Sequence, residues 1–315
     1  MKFYVCATPY HLLVALCDIF NHNEKSYIYL STHDKNVYNL FDKYSKNLNS
    51  LKCIEKVYLR KRGNIKERLF IENFVDKLEY RRIKDNIAKC HVIIFPWNPY
   101  SLFSPSEYIF KYAKSVTLIE EGANLYSMKK PSKKFLMIKK YLYKRNIEFY
   151  NDSKISDIMV QFPDLYPKHL SDKLSKLELD KMIDKIDKAN KTKIVEIFTE
   201  GVDLSRFNEK SIIILTQPLS EDKFVSEYEK KKMYYDIIEE YKLNYRVIIK
   251  KHPREKTIYN YDLKNVFELE GSFPSEVFKL ADIKFKKAIG ICTSAVKFIN
   301  AEESLNIDED FLKTK

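Results

Sequence analysis

A pair of carboxylates follows a strand-like apolar run in the first half of the chain. Glu120 and Glu121 come directly after Val116–Ile119, and Gly122 follows them. Because consecutive strand residues point to opposite faces, only one of the two carboxylates faces a given site. The glycine permits a sharp turn, so a carboxylate at the strand tip is accessible to a substrate hydroxyl. The segment predicts a general base, and a solvated turn is the alternative.

An imidazole among cationic side chains follows an apolar run in the second half. His252 comes shortly after Tyr245–Ile249. Its neighbours are a rigid proline and three cations: Lys250, Lys251, Pro253 and Arg254. Imidazole protonates a departing oxygen near neutral pH, and a bound phosphate raises its pKa. The segment therefore predicts a proton donor beside a phosphate, and a structural histidine is the alternative.

Two further segments have the composition of phosphate and ribose sites. Thr293 and Ser294 follow the apolar run Ala288–Ile291 and precede a predicted helix, where hydroxyls and free amides bind phosphate. Simple helix capping is the alternative. Glu276 either accepts hydrogen bonds from a ribose diol or lies in the first turn of a helix capped by Ser272.

Apolar runs of strand length alternate with helix-length segments along the whole chain of 315 residues. This alternation predicts parallel sheets that are covered by helices on both faces. The predicted strands are Lys2–Ala7, Ser26–Leu30, Ile54–Leu59, His91–Pro96, Ser115–Ile119, Ile158–Gln161, Ser211–Leu215, Arg246–Ile249, Asn265–Glu268 and Ala288–Ile291. Helical spacing of apolar residues predicts a helix in Leu170–Asn190, and helices are also predicted over Glu221–Tyr241 and Ala295–Ala301.

A domain boundary is predicted after residue 190, which gives one domain of residues 1–190 and a second domain of residues 191–315. Each predicted domain has functional residue types at the carboxyl ends of its strands, where open α/β sheets bind ligands. The two sheets are therefore expected to face a central cleft.

The formal net charge of +12 favours an anionic partner, such as nucleic acid, an acidic lipid surface or a phosphorylated substrate. Drift of the composition toward lysine is the alternative. The sequence contains no GxxxxGK[ST], GxGxxG or HExxH motif and no nucleic-acid-binding signature, and its DxD triplet Asp308-Glu309-Asp310 follows no predicted strand. We therefore expect neither a metal nor a nucleic-acid partner.

The cysteine pattern and the hydropathy point to a reducing compartment without a membrane span. The five cysteines are widely spaced and form no CxxC pair. No run of about 18 apolar residues is present. The opening Met1–Ala7 is predicted to be a first strand, followed by a turn and a helix from His11, and not a signal peptide. A cytoplasmic location is expected.

Two further segments are candidate contact sites for a ligand or for a membrane surface. Trp97 and Asn98 follow a predicted strand, where the indole would stack on a sugar or, alternatively, pack in the core. Met128–Arg145 is basic with helical apolar spacing, which predicts either an ordinary surface helix or docking on anionic lipid at the inner face of the membrane.

The order of these segments resembles that of bacterial sialyltransferases, in which an acid-acid-Gly motif precedes a distant His-Pro. Met1–His11 and Leu215–Leu219 are most similar to glycosyltransferase family 52, the lipooligosaccharide and capsule sialyltransferases. The resemblance spans nearly the whole chain. It implies a GT-B fold, which is two Rossmann-like domains with the donor between them. Residues 1–190 would form the acceptor-side domain and residues 191–315 the CMP-sugar-binding domain.

The resemblance also implies a reaction and a role for each candidate residue. The donor would be CMP-sialic acid, the reaction would invert the anomeric centre, and no metal or cofactor would be required. Glu121 would be the base and His252 the acid, with Asp222 as a reserve base. The CMP-binding residues would be Lys250, Lys251, Pro253, Glu276, Thr293 and Ser294, and the acceptor-side candidates are Thr8, His11, Trp97 and Asn98.

The leading hypothesis is transfer of sialic acid to a galactose-terminated oligosaccharide or a lipid-linked glycan of the cell surface. A GT-B transferase that uses another CMP-activated acidic sugar is the nearest alternative. A basic nucleic-acid-binding protein is an alternative from another class, although it leaves the strand-end segments unexplained. The family resemblance is also compatible with a homodimer.

Overall fold

The computed structural model describes residues 1–61, 72–98, 101–102, 104–120, 132–134, 137, 152–166, 172–199, 202–204, 206–208, 210–259, 264–269 and 273–307. The chain divides into two compact units, Met1–Ile186 and Asp187–Lys315. This division lies four residues before the predicted boundary at 190/191 and precedes a helix, Lys188–Thr199. Each unit is an α/β layer structure with its own parallel sheet.

The first unit is built on a seven-stranded sheet whose neighbouring strands are all parallel. The described strands of the unit are β1 (Lys2–Cys6), β2 (Ser26–Thr32), β3 (Ile54–Lys61), β4 (His91–Ile94), β5 (Trp97–Asn98), β6 (Ser101–Leu102), β7 (Ser115–Ile119), β8 (Ile155–Val160) and β9 (Leu174–Lys176). The sheet order is β3-β2-β1-β4-β7-β8-β9, and β5 and β6 form a separate antiparallel pair. The predicted parallel sheet is therefore confirmed.

Helices cover the first sheet because its central strands are apolar on both faces. The described α-helices are α1 (Pro9–His22), α2 (Lys35–Leu48), α3 (Glu72–Lys89), α4 (Ser104–Tyr112) and α5 (Leu179–Lys185). In β1, four successive residues from Phe3 to Cys6 are fully buried, which is the pattern of a strand between two helical layers. Tyr80, Ile83 and Ile87 of α3 are buried at helical spacing against this sheet.

The second unit has a five-stranded parallel sheet in the order β12-β11-β10-β13-β14. Its strands are β10 (Ser211–Leu215), β11 (Arg246–Lys250), β12 (Val266–Leu269), β13 (Phe285–Ile291) and β14 (Ala301–Ile307). Its α-helices are α6 (Lys188–Thr199), α7 (Glu227–Tyr241) and α8 (Val277–Leu280). All five residues of β10 are buried, so this central strand lacks the alternation of buried and exposed residues that a sheet with one solvent-facing side would show.

Helix α7 begins six residues later than the predicted Glu221 because Ser226 provides a stronger start signal. The Ser226 hydroxyl accepts a hydrogen bond from the Glu229 amide, and the Glu229 carboxylate accepts one from the Ser226 amide. This capping box satisfies two amides that would otherwise lack a partner at the helix start.

Two predicted helices are shorter in the structure, and an edge strand lies within or directly after each of them. The segment after Ile291 forms a short 3-10 helix, Ser294–Phe298, and then the edge strand β14, whereas a helix was predicted over Ala295–Ala301. Similarly, β9 lies inside the predicted helical stretch 170–190. Both strands are sheet edges, where pairing with a neighbouring strand overrides a weak local preference.

Among the described residues, no helix combines the length and the apolar character that a bilayer crossing requires. The basic segment Met128–Arg145 lies almost wholly outside the described residues, so its docking on anionic lipid stays a prediction.

Candidate functional site

The second sheet brings several predicted site residues to one edge. Leu215, the last residue of β10, pairs with Lys250 of β11 on one side and with Gly290 of β13 on the other. Because these strands are parallel and in register, the segments that follow them leave the same edge of the sheet. His252 and Thr293 lie in these two segments, so residues 41 positions apart in the sequence share one strand-end edge.

His252 lies in a tight turn that fixes which ring nitrogen carries the proton. Its Nδ1 accepts a hydrogen bond from the backbone N–H of Arg254, at 3.1 Å. Its carbonyl oxygen accepts another from the backbone N–H of Glu255, at 2.9 Å. Since Nδ1 is an acceptor, the neutral ring carries its proton on Nε2. The turn therefore presents an N–H donor from Nε2, which the predicted role requires.

The surroundings of His252 keep the ring neutral. Burial is the largest cause, and the positive charges of Arg254 and Lys250 add to it, so the pKa of His252 falls to about 4. At neutral pH the unliganded side chain is consequently a neutral hydrogen-bond donor. A bound phosphate brings negative charge close to the ring, which raises the pKa again.

Lys250 is a buried cation at the end of β11. Its Nζ donates to the carbonyl oxygen of Phe273, at 2.6 Å, and lies 4.8 Å from the centre of the Phe273 ring. Burial lowers the pKa of Lys250 to about 8, and the negative charge of Glu276 opposes this shift. Glu276 is itself buried at the start of α8. Lys250 and Glu276 are thus a cation and a carboxylate that this edge holds away from bulk water.

Two other predicted residues are engaged in surface ion pairs. Lys251 pairs with Glu268 of the neighbouring strand β12, at 3.0 Å. The Asp222 carboxylate accepts one hydrogen bond from each of two guanidinium nitrogens of Arg254, both at 3.0 Å. These hydrogen bonds lower the pKa of Asp222, which makes it a weaker proton acceptor and a poorer candidate for the reserve base.

The segment after β13 is a close-packed turn with an unusual backbone. Cys292 has φ of 52°, a left-handed conformation that a cysteine seldom adopts. Thr293 is buried, and its hydroxyl accepts from the Ala295 amide at 3.2 Å. A Cβ atom at Gly290 would clash with the side chains of Thr293 and Val296. Thr293 therefore caps the helical turn, while the side chain of Ser294 is outside the described residues.

A buried polar cluster lies directly behind the His252 turn, and sequence reasoning missed it. The fully buried carboxylate of Glu255 accepts hydrogen bonds from the hydroxyls of Thr216 and Tyr259. It also forms an ion pair of 2.8 Å with Lys230, whose side chain is fully buried too. A sequence signal existed, because Lys230 shares the apolar stripe of α7 with Met233.

The first sheet presents a carboxylate at its own strand-end edge. Glu120 follows β7 and is buried, and its carboxylate accepts from the Gln161 backbone N–H at 2.9 Å. The Gln161 side-chain amide donates to the hydroxyl of Tyr10, at 2.9 Å. Glu120 thus holds the end of β8 against β7. Glu121, the predicted base, lies outside the described residues, so its role stays a prediction.

Two acceptor-side candidates have structural contacts at the start of α1. The Thr8 hydroxyl caps the helix by accepting from the His11 amide, at 3.2 Å. His11 is fully buried, stacks on Phe95 with ring centres 5.0 Å apart, and accepts from the Ala7 amide through Nδ1. The predicted strand, turn and helix at the opening of the chain are confirmed.

Trp97 is a core residue, so of its two predicted roles core packing is observed and sugar stacking is wrong. Its side chain is fully buried, its Nε1 donates to the carbonyl oxygen of Ile119 at 2.7 Å, and its ring packs near Tyr166. A sugar can stack only on an exposed ring face, and the buried indole offers none. The side chain of Asn98 is outside the described residues.

Comparison with known proteins places the chain in a family. A family model described as alpha-2,8-polysialyltransferase (POLYST) matches residues 2–306. The chain belongs to this family. The predicted resemblance to the bacterial sialyltransferases of glycosyltransferase family 52 is thereby confirmed, so the chain belongs to a glycosyltransferase family.

A similar solved structure supports the fold. It is the 2,6-sialyltransferase of a Photobacterium species, in a ternary complex with the donor product CMP and the acceptor substrate lactose. It matches 97% of this chain and 71% of its own chain, with a TM-score of 0.59 and 13% identity. At this identity the likeness concerns the fold alone, and the predicted GT-B class is confirmed. A facing cleft stays a prediction.

A similar curated protein carries no functional description. It is an uncharacterised protein of Haemophilus influenzae, 34% identical over 111 residues. The match covers 34% of this chain and 36% of the relative, so it spans about a third of the relative's length.

Proposed function

We propose that this protein is an inverting, metal-independent sialyltransferase that transfers sialic acid from CMP-sialic acid to a hydroxyl of a cell-surface glycan. The observation that carries the proposal is the strand-end edge of the second sheet. There, the buried Lys250 ends β11, the Nε2–H of His252 lies in the segment that follows this strand, and the Thr293 turn follows β13. These two strands flank β10.

The proposed reaction forms one bond and breaks one bond. The acceptor oxygen attacks the anomeric carbon of sialic acid while the bond from that carbon to the phosphate oxygen of CMP breaks. Glu121 takes the proton of the acceptor hydroxyl, and the Nε2–H of His252 donates to the departing oxygen. Lys250 and Thr293 stabilise the phosphate, and Glu276 holds the ribose. Acid–base assistance of this kind contributes about 10²–10⁴-fold per group.

Two kinds of glycan are candidates for the acceptor. The Photobacterium enzyme was solved with lactose, which supports a galactose-terminated acceptor. The family description names an α-2,8 linkage, and this favours a second candidate. Galactose has only six carbons, so an α-2,8 bond requires an acceptor such as sialic acid itself. The second candidate is therefore extension of a glycan that already ends in sialic acid.

CMP release from CMP-sialic acid tests the proposal directly. The assay contains EDTA and compares no acceptor, lactose and sialyllactose. Acceptor-dependent release supports a metal-independent sialyltransferase, and the preferred acceptor distinguishes the two candidates. Absence of release with every acceptor, together with absence of CMP binding by calorimetry, would contradict the proposal.

The other hypotheses are separated by their ligands. Release of CMP from a different CMP-activated acidic sugar, with none from CMP-sialic acid, would favour the alternative donor. Steep salt-dependent affinity for DNA or RNA would favour the nucleic-acid-binding alternative.

The proposed location is the cytoplasm. For a lipid-linked acceptor, the proposed location is the inner face of the cell membrane. Sedimentation with anionic vesicles at low salt tests that location.

A further inference from the structure

We infer that the buried Lys230–Glu255 ion pair positions His252 for the proposed reaction, so that both residues influence turnover without contacting the substrate. The inference rests on the proposed function. The Lys230–Glu255 pair keeps two charges fully removed from water directly behind the His252 turn.

Glu255 is joined to the His252 turn through the backbone. The Glu255 amide donates to the His252 carbonyl oxygen at 2.9 Å, which closes the turn. In return, the Glu255 carboxylate accepts a long hydrogen bond of 3.4 Å from the His252 amide. A shift of the Glu255 side chain therefore moves the backbone that carries the imidazole.

The surroundings of Glu255 hold its carboxylate from several directions. Thr216 follows β10 and Tyr259 lies four residues beyond Glu255, and both hydroxyls donate to it. Burial, with the negative charge of Glu255 as a further cause, raises the pKa of Tyr259, so its hydroxyl remains a donor. The Thr216 amide also donates to the Lys250 carbonyl oxygen, at 3.1 Å. The cluster thus links the ends of β10 and β11 to the turn.

Lys230 supplies the opposing charge and connects the cluster to α7. Its Nζ donates to Glu255 at 2.8 Å, to Glu221 at 2.9 Å and to the Thr257 hydroxyl at 2.8 Å. Three acceptors satisfy the three ammonium hydrogens. Burial alone would raise the pKa of Glu221, but the Lys256 amide and Lys230 outweigh it and lower that pKa to about 2.

A buried pair of this kind is weak evidence for a stabilising role. Removing one partner leaves the other charge buried without its counter-ion, which is strongly destabilising. Removing both charges is often neutral for stability. Stability alone therefore does not explain the pair. Its attachment to the His252 turn does, because a displacement of about 1 Å at a reacting group costs about 10²-fold in rate.

The test compares Lys230→Met, Glu255→Gln and the double variant. Each single variant is expected to melt at a lower temperature, and the double variant is expected to recover most of that loss. Despite the recovery, the double variant should turn over about 10²-fold more slowly, with a smaller change in the KM for CMP-sialic acid. Recovery of kcat together with stability would overturn the inference.

A second readout does not require turnover. In ¹⁵N spectra, the ring nitrogens of His252, assigned with His252→Gln, should report a single Nε2–H tautomer in the wild type and a mixture in the double variant. An unchanged tautomer in the double variant would also overturn the inference. Because this readout needs no sialyl transfer, failure of the proposed function is distinguishable from failure of the inference.

Two further variants keep the test interpretable. Tyr259→Phe removes one hydrogen bond to Glu255 without changing charge, and it should disturb the tautomer less than the double variant. Arg60 and Glu79 form a largely buried ion pair of 2.9 Å in the first unit. The variant Arg60→Met/Glu79→Gln is the matched control, and it should leave the His252 ring signals unchanged.

Discussion

At the scale of single residues, His252 carries the clearest chemistry. Substitution of His252 by Gln preserves an amide N–H but removes the imidazole and its acceptor for Arg254. We expect kcat to fall by about 10²-fold or more, because the departing phosphate oxygen loses its positioned donor. Turnover is measured by acceptor-dependent CMP release. A folded variant with nearly normal kcat would contradict the assignment of the acid.

The protonation of His252 should depend on the ligand. Its pKa of about 4 in the free protein lies below the ordinary value of 6.5, so the unfolded chain binds the proton more readily between these values. His252 therefore contributes instability that grows as pH falls from about 6.5 to 4. Bound CMP is expected to raise this pKa, so binding should take up a proton in that window.

An NMR titration of the His252 ring checks this linkage. The free protein should show no titration of this ring above about pH 5, and the CMP-saturated protein should show one at higher pH. If the two titration curves coincide, the phosphate does not lie near the imidazole.

At the scale of elements, the Gly290–Thr293 turn couples packing to binding. Substitution of Gly290 by Ala places a methyl group against Thr293 and Val296, which cannot yield without moving the turn. Overpacking of this kind costs about 1–3 kcal/mol of stability. We expect lower thermal stability and weaker CMP binding by calorimetry.

A compensating variant distinguishes this mechanism from general damage. Thr293→Ser keeps the capping hydroxyl and removes one of the two methyl groups that clash. In the Gly290→Ala background it should therefore restore part of the CMP affinity. Absence of any restoration would indicate that the turn does not shape the site.

At the scale of the whole molecule, CMP should act on the second unit. CMP is expected to protect backbone amides of the second unit from hydrogen exchange, chiefly in the segments after β10, β11 and β13. At 100 times its Kd, it should stabilise the protein by about 2.7 kcal/mol. EDTA should leave both effects unchanged. Protection confined to the first unit would place the donor site elsewhere.

The sequence alone was sufficient for much of the architecture. The apolar runs of β1, β10 and β11 are almost uninterrupted, which is characteristic of strands buried on both faces. Their alternation with helices therefore predicted two parallel sheets, and the positions of His252 and Thr293 after such runs predicted their location at strand ends. These predictions succeeded because they depend on residues close together in the chain.

Edge strands were the main failure at the level of elements. β14 contains the exposed residues Glu302, Glu303 and Leu305, so its sequence lacks the apolar signal of a buried strand. It forms because β13 offers an unpaired edge with which it pairs in parallel over Phe285–Ile291. The local hydropathy pattern of residues 301–307 does not indicate that the edge of β13 is available for pairing.

The sequence by itself determined the alternating α/β layers, the family and the residue types at the strand ends. Only the tertiary structure decided how those residues are used. It showed that Trp97 is buried, that Asp222 is held by Arg254, and that Lys230 is paired with Glu255. These outcomes depend on the burial and distance of groups that are far apart in the chain, such as Asp222 and Arg254 at a separation of 32 residues, because solvation and Coulomb interactions act through space.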